Sequence, residues 1–141
     1  MRVMVLVKEN EDSESGAIPD RESLAAMGGY NEELAQAGVL LVAEGLHPSS
    51  KGKRLRFGEG EPVVTSGPFP QTGELLAGFW IWRVDSMEDA VRWLKQAPFG
   101  GGVEIEIRPV FETEDFGAVF TPELKEQQGR VQEMAERNKA A

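Results

Sequence analysis

The chain contains no cysteine. That excludes a disulfide framework, a thiolate metal site and a cysteine nucleophile in one step. Long apolar runs are also missing, and no segment approaches the roughly 20 consecutive apolar residues that a membrane-spanning helix requires. The opening MRVMVLVKEN has a single basic residue before a short apolar run and no small-residue cleavage site, so it reads as a first strand, not a signal peptide. Cytoplasmic location and no membrane partner are the resulting expectations. Positive charge is scarce, with 15 Lys and Arg against 24 Asp and Glu and a formal net charge of −9. Such a balance argues against the counterion-releasing mode of nucleic-acid binding, and no nucleic-acid partner is expected. Histidine occurs once, as His47.

What is present suits one core, since 141 residues fall in the size range of a single domain. Val3 to Val7 and Val39 to Ala43 are apolar at successive positions, the pattern of strands covered on both faces. Between them the polar stretch Lys8 to Gly16 reads as mobile. Asp20 then offers an N-cap to a helix whose stripe runs through Leu24, Met27, Tyr30, Leu34 and Ala37 until Gly38 stops it. KRLRF and PVVTS predict a hairpin around Gly58 to Gly60. LLAGFWIWRV, residues 75–84, predicts a long strand that is again apolar on both sides. Ser86 caps a second helix that ends near Pro98 and Gly100 to Gly102, and VEIEIRPVF alternates strictly from Val103. Thr121 and Pro122 open a last helix with a narrow apolar stripe, of the kind that needs a partner to stay folded.

The order β-α-β, hairpin, β-α-β predicts an α+β, ferredoxin-like antiparallel sheet with its helices on one face. The domain is expected over residues 1–120, with 121–141 as a helical extension. Two helices cover one face only, so strands apolar on both faces predict a second copy against the other, a homodimer joined sheet to sheet.

Three segments, AAMGGYNEELAQAGVLLVAEGLHPSSKG, VVTSGPFPQTGELLAGFWIWRV and GGVEIEIRPVFETEDF, resemble the YCII-related family, specifically its DGPF branch. The resemblance implies a dimeric α+β barrel of ferredoxin-like protomers. No activity is assigned to the branch, while a His-Asp pair has been linked to an enzymatic role in the wider family. The naming motif departs here, because Ser66 replaces its aspartate while Gly67, Pro68 and Phe69 remain. A mechanism that needs the aspartate therefore has no base or orienter at that position.

His47 is the candidate catalytic residue, because imidazole suits proton transfer near neutral pH. The alternative for a lone loop histidine is a local hydrogen bond or open solvent. Candidate ligand-binding residues are Tyr30, Arg56, Ser66, Gly67, Pro68, Phe69 and Arg83. Gly67 and Pro68 redirect the chain, with Phe69 either pinning the loop to the core or walling a pocket. Arg54 and Arg56 recur at strand spacing and can grip a carboxylate or phosphate; equally, such charges keep an edge strand soluble. Glu104, Glu106 and Arg108 point away from the apolar set of their strand, with Arg83 and Arg108 as available ion partners. Glu44 and His47 fall on opposite strand faces, so no metal and no cofactor are expected. The composite expectation is a homodimeric domain that binds a small molecule, with acid-base chemistry at a cleft between His47 and residues 66–74. A non-catalytic regulatory or protein-interaction module is the alternative.

Overall fold

Strand β1 (Arg2–Lys8) sits inside a four-stranded antiparallel sheet, in the computed structural model that describes residues 1–141. Its partners are β5 (Leu76–Arg83) and β6 (Ile105–Pro109), and β2 (Leu40–Gly45) flanks β5, giving the order β2-β5-β1-β6. This is the ferredoxin-like order the element sequence predicts. Register places Val3 opposite Trp82 and Val5 opposite Trp80, so these side chains share one face. Helix α2 (Arg21–Gln36) contributes Tyr30 and Leu34 to that face, and α3 (Met87–Lys95) contributes Ala90. Val3, Val5, Leu34, Trp82 and Ala90 have no exposed surface. Burying each of the larger ones stabilises the fold by about 1.5–3 kcal/mol.

Local chemistry explains where these helices begin and end. The Asp20 carboxylate accepts the Ser23 N–H at 2.8 Å, which satisfies a free amide of α2 and lowers the Asp20 pKa. Past the C-cap Ala37, Gly38 takes φ +76°, a left-handed conformation that stops the helix. Ser86 Oγ accepts the Asp89 N–H at 3.2 Å to start α3. The helices are tied together where the Tyr30 hydroxyl donates to the Trp93 carbonyl at 2.6 Å. Burial pushes the Tyr30 phenol up to about 12.

Two expectations about local structure are corrected. The stretch Lys8–Gly16 is not featureless, because Asn10 and Ser13 exchange side-chain and backbone hydrogen bonds and cap a short helix, α1 (Glu11–Glu14). Leu24, first in the expected apolar stripe of α2, is 55% exposed, because the buried part of that helix begins a turn later. The hairpin β3 (Lys53–Arg56) and β4 (Val63–Ser66) forms a separate two-stranded sheet.

The backbone separates into two units, Met1–Val110 and Phe111–Ala141. In the second, the rings of Phe111, Phe116 and Phe120 stack in succession at 5.1 and 5.8 Å. Helix α4 (Pro122–Ala140) follows, capped by Thr121, with Pro122 in its first turn. No helix of the chain is long and apolar enough to cross a membrane.

Candidate functional site

The β3–β4 hairpin pairs Arg54 with Thr65 and Arg56 with Val63, so these four share one face, while Lys53, Ser66, Leu55 and Val64 share the other. Residues 66–74 leave β4 through a cis Gly67–Pro68 bond and return to β5. This loop is anchored to the turn before β3, where Gly67 N–H donates to the Gly52 carbonyl at 3.0 Å. Phe69 N–H donates to Ser49 Oγ at 3.0 Å, and the Ser49 hydroxyl in turn donates to the Glu14 carboxylate. Ser49 N–H also reaches both Glu14 oxygens at 3.2 Å. Gly67 lies so close to this junction that a Cβ there would overlap the Ser49 carbonyl. Glycine is therefore demanded by close approach, not by backbone dihedral.

A second carboxylate, Glu9, stands beside Glu14. Both of its oxygens are shut off from solvent without a hydrogen-bond partner of good geometry. Burial, and secondly the neighbouring Glu14, push its pKa up to about 7. The Ser49 hydroxyl holds Glu14 in the opposite direction, below the usual carboxylate range. Two adjacent carboxyl groups that diverge in this way hold one proton between them near neutral pH.

Over the loop lies an open groove of about 590 Å³ lined by Arg54 to Phe57, Thr65 and Pro68 to Pro70. The Arg54 guanidinium carbon sits 4.1 Å from the Phe69 ring centroid. That cation–π contact is worth about 0.5–1 kcal/mol at an exposed site. A different cavity, of about 330 Å³, lies between α2 and the β2–β5 end of the sheet, where Met27, Asn31, Phe79, Trp80 and Phe99 line it. Trp80 Nε1 donates there to Asn31 Oδ1 at 2.8 Å.

The residues expected to form one cleft are distributed as follows. Arg56, Pro68 and Phe69 meet in the groove, while Gly67 does not line it and packs against the Ser49 carbonyl. Ser66 caps the hairpin, where its Oγ accepts from Lys53 Nζ at 2.9 Å. His47 is exposed in the loop after β2 and lines neither cavity. Tyr30 is 5% exposed and spends its hydroxyl on Trp93. Arg83 is exposed at the end of β5, opposite Arg2. On the last strand Arg108 approaches Glu106 at 3.9 Å, while Glu104 pairs with Lys8 at 2.5 Å, not with an arginine.

Sequence reading missed Glu9, Glu14 and Ser49. Their one visible signal was the Asn10–Ser13 capping pattern, which turns the chain so that Glu14 reaches Ser49. Phe69 is absent from the core cluster, and its backbone bond to Ser49, with that of Gly67 to Gly52, holds the loop.

The model of the YCII-related domain family matches residues 1–114. An uncharacterized protein of Rhizobium meliloti (strain 1021) is 30% identical over a 94-residue alignment that covers 64% of this chain and 75% of that protein.

Proposed function

The chain belongs to the YCII-related family, and on that footing we propose that it is a homodimeric domain that binds a small molecule in the groove between the β3–β4 hairpin and residues 66–74. One observation carries this reading. Phe69 is held by its backbone N–H on Ser49, yet its ring is left in the groove wall and not in the core. An aromatic ring on a fixed backbone at an open groove is a ready surface for a ligand, and the volume lies within the roughly 300–1,000 Å³ typical of such sites.

In the catalytic form of this reading, proton transfer falls to His47, in the loop that leads to Ser49. The exposure of His47, away from both cavities, favours a second form in which the domain binds without turnover, as a regulatory module. A thermal-shift screen of the full chain against a metabolite library separates them, because a ligand of the native state raises apparent stability by mass action. Binding is expected to raise the melting temperature, and Phe69→Ala to abolish the shift. If His47→Ala leaves the shift unchanged and no hit is consumed, the non-catalytic form holds. A hit whose shift survives Phe69→Ala places the ligand elsewhere and ends the groove reading.

A further inference from the structure

We infer that the groove selects an oxyanion, a carboxylate or phosphate monoester carried on a flat apolar body; the inference rests on the groove being the ligand site. The warrant is the charge distribution of the lining. In a chain with 24 acidic and 15 basic residues, the groove holds Arg54 and Arg56 and no carboxylate. Neither guanidinium has an ion-pair partner, although carboxylates elsewhere draw in Lys8, Arg92, Arg108 and Lys139. Strand register places Arg54 and Arg56 on one face with Thr65 directly across from Arg54. Two guanidinium forks and a hydroxyl therefore offer hydrogen bonds to one neighbourhood, an array that matches planar or tetrahedral oxyanions.

The array is also partly preorganised. Contact with the Phe69 ring at 4.1 Å restricts the Arg54 side chain, so less of its freedom is lost when an anion arrives. Phe57, which is 78% exposed, and Pro68 and Pro70 supply the apolar surface around it. An edge strand that only needed charge to stay soluble would be served as well by acidic residues, which this chain has in excess. It would also have no reason to seat an arginine on a ring at the groove floor.

Isothermal titration calorimetry on the full chain tests the inference, with phenyl phosphate, benzoate, benzamide and inorganic phosphate as probes. Phenyl phosphate or benzoate should bind, benzamide should not, and inorganic phosphate should bind more weakly than phenyl phosphate because it cannot use the apolar wall. The phenyl phosphate and benzoate arms identify which oxyanion is preferred. Arg56→Gln and Arg54→Gln should each weaken the better anion by about tenfold or more, the loss of one charge-assisted contact. Arg54→Lys should not restore it, since an ammonium lacks the planar fork. Both arginines are exposed and free of ion pairs, so Arg56→Gln should keep the parent's melting temperature, and Arg54→Gln should lower it by no more than about 3 °C, the loss of the contact with Phe69. Benzamide binding as tightly as benzoate, with both arginine variants unchanged, would overturn the anion class and leave the groove reading standing. No binding of any probe overturns the anion class, while the groove reading is judged by the Phe69→Ala screen.

Discussion

Glu9 is the residue whose behaviour depends most on pH. Its ordinary value is 4.5, and the folded chain raises it to about 7, chiefly by burial. Between those values the folded state keeps a proton that the unfolded state has lost. Stability contributed by this site therefore falls as pH rises through that window and is lowest above 7. Glu9→Gln removes the penalty. At pH 8 the variant should melt higher than the parent, by about 3 °C for about 1 kcal/mol, a figure discounted because the residue as a whole is only partly buried. At pH 4.5 and below the two should converge. Melting profiles that run parallel from pH 5 to 8 would show that Glu9 titrates as an ordinary surface acid. None of this was legible in the sequence, where His47 drew the acid-base expectation because its ordinary pKa is close to neutral. A carboxylate acquires such a value only from its surroundings, here burial first and then Glu14 on the short helix that follows.

Among the elements, the 66–74 loop shows which part of a motif can be read as backbone. Gly67 and Pro68 were expected to redirect the chain after the hairpin, and a cis Gly67–Pro68 bond stands at that point. What they press against was hidden, because Ser49 lies in the 3-10 turn before β3 and meets the loop only in the folded chain. Gly67→Ala tests the junction. A methyl group there would overlap the Ser49 carbonyl, so either the loop or the turn must move. The expected loss is about 2–4 kcal/mol, read as a lower urea midpoint at unchanged slope. Gly73→Ala serves as the comparison, since that glycine has φ +83° but open space around its Cβ position, and it should lose only about 1 kcal/mol. Equal losses at both sites would mean that backbone conformation, and not the contact with Ser49, sets the requirement for Gly67. The hairpin itself was easier to read, because alternation alone put Arg54 and Arg56 together. The contact of Arg54 with the Phe69 ring arises only in the folded chain, because the two lie 15 positions apart.

For the molecule as a whole, the element order was enough to predict the ferredoxin-like sheet, because each strand and helix carries its own periodicity and caps. The same strands raise the question of assembly. With Val3, Val5, Trp80 and Trp82 turned to the helices, register turns Met4, Leu6, Phe79 and Ile81 to the opposite face, joined by Val42 of β2. Neither α2 nor α3 reaches that face, since both pack against the first set. Charges rim it, with Arg2, Arg83 and Arg108 on one side of the account and Glu44 and Glu106 on the other. A patch of apolar centre and mixed-sign rim suits a two-fold contact, in which each copy offers the same surface and opposite charges meet across the axis. On this reading Ile81→Glu places a charge at the centre of the contact while leaving the helix-packed core intact. Sedimentation velocity at micromolar concentration should show the parent at twice the mass of the 15.5 kDa chain. Ile81→Glu should sediment as a monomer with an unchanged far-ultraviolet circular dichroism spectrum, because a buried unpaired carboxylate is tolerated only if the partner leaves. Arg92→Glu, on the helix layer, should leave the dimer whole. A parent chain that sediments as a monomer would mean that this face is apolar for another reason, and the dimer proposal would fall.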